Sequence, residues 1–258
     1  MTAALFLLDA GRLTGATPGQ TIVVDGAEGR HAATVKRIEP GEPVLLADGS
    51  GVVAECETVA ADADRLEVRI VAVREEHPGR PRVTLVQALA KGDRDDQAIE
   101  AATELGVDRI VPWQAERSIV QWRGERGAKA RRKWEQVVRA AAKQSRRATV
   151  PVVAELLDRK RLASLADANA NANVVLLVLH EDADEALAGL DLSAADEVVL
   201  VVGPEGGISP AELDALRDVG ARVVRLGPHV LRASSAGPAA ISVVMAATRW
   251  TQHPAADD

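Results

Sequence analysis

The 258-residue sequence predicts two units of different class: a small N-terminal β-barrel, then an α/β domain built on a mainly parallel sheet. Three observations carry this. The first 75 residues hold short β-rich runs separated by turn pairs. From residue 83 onward, short, nearly continuous apolar runs alternate with helical stretches, the pattern of strands covered on both faces. Between the two patterns, "REEHPGRPR" (74–82) is charged and holds two prolines, which marks a linker. The expected domains are therefore 1–75 and 76–258.

In the first part, "QTIVVDG", "EPVLLADGSGVVAEC" and "RLEVRIVAV" are the strand candidates, with turns at "DG" (25–26, 48–49) and "PG" (40–41). In the second, strands are expected at "VTLVQAL" (83–89), "RIVPW" (109–113), "NVVLLVLH" (173–180), "EVVLVVG" (197–203) and "RVVRLG" (222–227). Helices fall between them. "DDQAIEAATELG" sets Ile99, Ala102 and Leu105 on one face and stops at Gly106, a C-cap residue. "KARRKWEQVVRAAAKQSRR" sets Trp134, Val137, Val138 and Ala141 on one face and bases around the rest. In "SPAELDALRDVG", Ser209, Pro210 and Glu212 form a capping box with proline at the first helical position. "GPAAISVVMAATRW" is almost wholly apolar and predicts a buried last helix. "ASLADANANAN" (163–173) reads as a loop after a short helix.

Apolar residues make up 47% and aromatics 2%, so the core must come from Val, Leu, Ile and Ala. Cys56 is the single cysteine, which excludes an internal disulfide and fits a reducing cytoplasm. "MTAALFLLDAGR" lacks the basic start and long apolar stretch of a signal peptide. No run approaches the roughly 18–20 apolar residues of a membrane span. No Cys/His cluster has metal-ligand spacing, so no metal is expected.

A net charge of −7 argues globally against nucleic acid, but the distribution does not. Residues 117–147 hold eleven Arg or Lys against two Glu, so the remainder of the chain sums to −16. Such a patch is an electrostatic footprint for phosphate; a solvated helix face is the plainer alternative. Candidate phosphate contacts here are Arg117, Arg123, Arg126, Arg131, Arg132, Lys143, Arg146 and Arg147, with Arg30, His31, Lys36 and Arg37 from the first part; His31 reads as such a contact or as a turn residue. Trp122 is a candidate for stacking on a base, whereas Trp113 and Trp134 read as core.

Two glycine-bearing loops lie at expected carboxyl ends of strands, where ligands of parallel sheets bind. They are "GPEGGIS" (203–209) and "LGPHVLRASSAG" (226–237). Neither has the P-loop or the G-x-G-x-x-G spacing. A loop with an acid and no lysine suits a neutral or cationic small molecule better than phosphate. A tight strand-to-helix turn is the bland reading of either loop alone.

Taken as a pair, "LVVGPEGGISPAEL" and "LGPHVLR" resemble the SPOUT methyltransferase superfamily, and within it the RsmE-type enzymes that methylate uridine N3 in small-subunit (16S) ribosomal RNA. The likeness extends to "KGDRDDQAIEAATELGVDRIVPWQAERS" (91–118), "RKWEQVVRAAAKQSRRATVP" (132–151) and "GRHAATVKRIEPGEPVLLADGSG" (29–51). It implies an N-terminal PUA-like β-barrel that binds RNA and a C-terminal trefoil-knotted SPOUT methyltransferase domain. It also implies S-adenosylmethionine as cofactor, a homodimer packed through the knot, and 16S rRNA in the assembled small subunit as partner. The implied cofactor contacts are Leu179, His180, Val202, Gly203, Pro204, Gly206, Gly207, Leu226, Gly227, Leu231 and Ala236, with Leu179, Leu226 and Leu231 on the adenine. Family members often read Leu-Arg-Thr-Glu-Thr-Ala where this chain has "LRASSA" (231–236), and His229 stands where a basic residue is common.

Methyl transfer to a neutral uracil nitrogen needs the N3 anion to be favoured. Arg232 is the expected stabiliser of charge on the uracil oxygens, and Glu205 the candidate base or cofactor-orienting acid. Ser234 and Ser235 are expected to cap the last helix. Ribose 2′-O methylation within the same superfamily, and a non-catalytic RNA-binding assembly factor, remain open alternatives.

Overall fold

The computed structural model describes residues 3–158, 161, 162, 165 and 173–251. Apart from Leu165 and Asn173, the loop expected at 163–173 lies outside them. The chain forms two compact units, one of Met1–Pro78 with Ala142–Val150, the other of Gly79–Ala141 with Pro151–Asp258.

The first unit is a five-stranded sheet in the order β1 (Ala4–Leu7), β3 (Pro43–Ala47), β4 (Val52–Asp62), β5 (Arg65–Glu75), β2 (Thr21–Val24). β1 and β3 are parallel and the other pairs antiparallel. Register shifts at Glu55/Cys56 and Thr58/Ala60 bend the long β4–β5 pair. Alternate residues of the strands point inward, so Phe6, Val44, Leu46, Leu66 and Val68 share one core. Two elements were not foreseen: β1, and the helical stretch α1 (Gly26–Arg30) that continues into a π-turn at His31–Val35. Cys56 lies in the core, where burial pushes its thiol up to about 12.

The second unit is a seven-stranded sheet whose strands run parallel throughout. Its order is β10 (Glu185–Ala186), β12 (Arg222–Arg225), β9 (Val174–Leu179), β11 (Glu197–Val202), β6 (Arg82–Ala88), β7 (Arg109–Trp113), β8 (Val152–Val153). The five expected strands are the five longest. Most of their valines and leucines are buried, as continuous apolar runs require, with Val174, Val175, Leu179 and Val223 half-buried. Helices α2 (Arg94–Glu104), α3 (Gly124–Gln144), α4 (Pro210–Asp218) and α5 (Ala233–Ala247) connect and cover them. Trp113 and Trp134 are fully enclosed.

α3 starts five residues earlier than its charge pattern indicates and stops three earlier. It ends because Arg146 takes the left-handed conformation (φ 57°), while the Arg147 N–H closes back on Ala142. Arg37 (φ 55°) ends the π-turn in the same way, with the Ile38 N–H on Ala32. α5 starts at Ala233 with Arg232 as N-cap, so Ser234 and Ser235 sit inside its first turn and do not cap it.

α5 is held at its far end by Arg249. Its guanidinium donates to the carbonyls of Pro81 (2.8 Å) and Gly106 (3.1 Å) and pairs with Asp108. Asp108 also accepts the Val83 N–H at 2.8 Å. The pair is nearly dry, with side chains 13% and 6% exposed. Removing one partner of such a pair strands a buried charge at about 3–5 kcal/mol. Arg249→Met should lower the urea-unfolding free energy by about 3 kcal/mol, and adding Asp108→Asn should restore part of that loss.

Asp95 opens α2 and is buried. Burial first, then the neighbouring Asp96 charge, pushes its carboxyl up to about 6, against the opposing N–H bonds of Asp96 and Ala90. A carboxyl raised on folding binds its proton more tightly in the native state, so its contribution is complete below the unfolded value and is lost as pH rises through about 6. Asp95→Asn should therefore be the more stable protein at pH 8, by about 1–3 kcal/mol, with the gap closing by pH 4 in thermal melts.

Candidate active site

Because β12, β9, β11 and β6 are adjacent and parallel, the loops that follow them share one edge of the sheet. These loops are 226–232, 180–184, 203–209 and 89–93. Leu179 and His180 end β9, and the His180 N–H donates to the Val224 carbonyl at 3.0 Å. Arg225 donates to the carbonyls of Ala183 (2.8 Å) and Asp184 (2.6 Å), which fixes the turn after β9.

The loop Gly203–Ser209 is bare for reasons inside the protein. A Cβ on Gly203 would meet Ile208 Cγ1 at 2.7 Å, and Gly207 has φ +75°. Val202 and Pro204 are buried beneath it. The loop is clamped from two sides. The capping box is present: Ser209 N–H donates to Glu212 Oε2 (3.1 Å) and Glu212 N–H to Ser209 Oγ (3.3 Å). The same Glu212, fully buried, accepts the Glu116 N–H at 2.7 Å, and Ser209 Oγ donates to the Glu116 carboxylate at 2.7 Å. Arg117 Nη1 adds a bond to the Gly206 carbonyl at 3.1 Å. Segment 116–117 and the glycine loop are thus one piece.

Glu205, whose side chain is 24% exposed, accepts Arg94 Nη1 at 2.9 Å and the Lys91 N–H at 3.3 Å. Burial alone would raise its carboxyl, but its own N–H, Arg94 and the Lys91 N–H hold it below the usual carboxylate range. It is an ionised anchor between the loops after β11 and β6, and a weak proton acceptor.

The loop after β12 is different. Among the described residues, no backbone N–H from Leu226 to Leu231 is hydrogen-bonded within the protein. A Cβ on Gly227 would find open space. Leu226 is half-buried, while Val230 and Leu231 are 75% and 41% exposed. Unsatisfied main-chain donors beside apolar side chains suit a ligand with a flat ring and several acceptors. That donor set fits an adenosyl group with an amino-acid tail, the group that the resemblance implies. Arg232 follows at once. It is exposed, and its guanidinium has no partner among the described residues. Ala236 lies on the second turn of α5, half-buried.

The structure divides the basic candidates. Arg30, Arg37, Arg123, Arg126, Arg132 and Arg146 are exposed, and among the described residues no salt bridge ties them down. Others have work within the fold. Arg131 pairs with Glu135 and Glu155, and Lys143 with Glu28 at 2.8 Å. Arg147 donates to Thr149 at 3.3 Å. His31 packs its ring edge-on to Phe6, and burial, then the Lys143 charge, pushes it below the usual histidine range, so it is neutral at pH 7. Trp122 is half-buried and meets Trp134 edge-to-face at 5.0 Å.

Glu116, Glu212's second bond and Arg94 were missed as site residues. Only the capping-box spacing signalled Glu212, and nothing local linked Arg94 to a residue 111 positions away.

Residues 77–245 match the RNA methyltransferase domain family, and residues 24–71 the RNA methyltransferase PUA domain family. The ribosomal RNA small subunit methyltransferase E of Mycobacterium bovis is 47% identical over 97% of this chain and 94% of its own. The Bacillus subtilis protein of the same name is 27% identical over 87% of this chain and 89% of its own. Among solved structures, the Neisseria gonorrhoeae enzyme of that name, bound to S-adenosyl methionine, matches with a TM-score of 0.82 at 28% identity, over 95% of this chain and 98% of that one. A Legionella pneumophila methyltransferase structure with bound SAM matches equally, with a TM-score of 0.82 at 28% identity over 96% of this chain and 99% of that one. Since the likeness runs through both units, the chain belongs to the ribosomal RNA small subunit methyltransferase E family.

Proposed function

We propose that this protein transfers the methyl group of S-adenosylmethionine to N3 of a uridine in 16S rRNA, acting on the small ribosomal subunit in the cytoplasm. The observation that carries the reading is that, among the described residues, the amides at 226–231 are unbonded and Arg232 beside them on the same sheet edge is unpartnered, in a chain of this family.

When bound, the donor supplies an already activated methyl on a sulfonium. The protein's task is then placement, which is worth roughly 7–11 kcal/mol when the reacting atoms are held in line about 3–3.5 Å apart. The amides of Leu226, Gly227 and Leu231 receive the donor, with Leu179, Leu226 and Leu231 against its ring. Val202, Gly203, Pro204, Gly206 and Gly207 form the floor, and His180 and Ala236 the sides. Glu205 keeps that floor in place through Arg94. Arg232 faces the uracil and favours the N3 anion by placing positive charge at its oxygens. The N3 proton leaves to solvent as the N–C bond forms.

The placement of β11 between β6 and β9, with α5 packed against β6, supports a trefoil knot at the C-terminal end. Exposed Val230 beside the site supports a homodimer through the second unit. Arg123, Arg126 and Arg132 in the second unit, and Arg30, Arg37 and Arg146 in the first, are the proposed phosphate contacts. A lone thiol that is buried and unreactive fits a reducing compartment.

Small subunits from cells lacking the modification, incubated with labelled donor and digested, should yield N3-methyluridine by mass spectrometry. A 2′-O-methyl nucleoside would overturn the site of transfer. No product and no donor binding by calorimetry, with the fold intact, would favour the assembly factor. Arg232→Ala should lower kcat by about 10²–10³-fold with donor affinity little changed. Arg123→Ala and Arg126→Ala should each reduce the slope of log K for RNA against log salt by about one.

A further inference from the structure

β6 carries one side chain that does not suit its place. Gln87 is fully buried on this interior strand, with Val202 and Pro112 opposite it, and among the described residues its Oε1 has no hydrogen-bond partner. A buried acceptor left unpaired is destabilising, and a methionine of similar shape would avoid it. The orientation of the amide is settled by what surrounds it. Nε2 lies 3.3 Å from the Ala88 carbonyl and 3.5 Å from the Ala233 carbonyl, and only a donor fits between two acceptors. Oε1 is thereby turned toward Gly237, where an added Cβ would come within 3.3 Å of it and 3.1 Å of Leu85 Cδ1.

The group Gln87 reaches is the first residue of α5, next to Arg232. Upstream of Arg232, the loop 226–231 makes no backbone hydrogen bond among the described residues. Downstream, the Arg232 carbonyl accepts the N–H groups of Ser235 (2.8 Å) and Ala236 (2.9 Å). The place of Arg232 is therefore set from α5 backwards, and no side chain caps that helix start. Gln87, through its Nε2 at 3.5 Å from the Ala233 carbonyl, is an interior polar contact between this first turn and the sheet. We propose that Gln87 is a positioning residue that fixes the start of α5, and through it Arg232, at the reaction site. The proposal rests on the role given to Arg232 above and adds the residue that acts through it.

The test uses the full-length protein with Gln87→Met, alone and combined with Arg232→Ala. Gln87→Met should fold with unchanged or slightly raised melting temperature and bind S-adenosylmethionine within about threefold of wild type. Its kcat should fall about tenfold or more with KM for the donor unchanged. In the Arg232→Ala background it should have no further effect, since a residue acting through Arg232 has nothing left to position. Hydrogen exchange at the Ser235 and Ala236 amides should quicken in Gln87→Met. Wild-type kcat in folded Gln87→Met, or losses that multiply in the double variant, would overturn the proposal. If wild type methylates no RNA, the functional reading fails by itself, and unchanged exchange at Ser235 and Ala236 would still overturn the positioning role.

Discussion

The site depends on one carboxylate. Glu212 is fully buried, and each of its oxygens takes a backbone N–H, from Glu116 and from Ser209. Ser209 in turn bridges to the carboxylate of Glu116. A buried acid is tolerated only when its lone pairs are satisfied, and here the satisfaction is what joins two distant segments. Without that join, the glycine loop would be a free strand-to-helix turn, and the floor of the site would have no fixed height above β11. Arg117 on the Gly206 carbonyl and Glu205 on Arg94 extend the bracing to the loop's tip.

Charged side chains around the site act mainly as braces, while the surface offered to a ligand is backbone and leucine. This division suits a cationic, already activated donor. Its methyl is already activated, and in the proposed site oriented amides and an apolar wall would receive it. The same division explains why Glu205 looks catalytic in the sequence and structural in the fold. Its carboxylate is spent on a guanidinium and an N–H before any substrate arrives.

The strands of the second unit were legible because burial on both faces removes the polar alternation and leaves runs such as "VVLLVL" and "EVVLVV". β1 was not, since four apolar residues near a chain start carry no period that separates strand from anything else. The start of α5 was misplaced because "ASSA" has no amphipathic signal and Pro238 looks like a first helical residue, whereas the helix runs through it. The glycine loops and their setting at strand ends could be read directly. Pairings such as Glu116 with Ser209, 93 residues apart, could not, because they arise from sheet order and not from spacing. The charge of 117–147 was also legible, but which bases were already engaged was not. Glu155 and Glu28, which engage Arg131 and Lys143, lie outside that stretch.

The placement of the aromatic residues has an optical consequence. The chain has no tyrosine, and its four tryptophans, at 113, 122, 134 and 250, belong to the second unit. The first unit has Phe6 as its single phenylalanine. Intrinsic emission therefore reports on the second unit and is blind to the first. A fluorescence melt set beside calorimetry separates the two units without labels, and emission that stays constant while heat is absorbed is the signature of the N-terminal sheet opening alone.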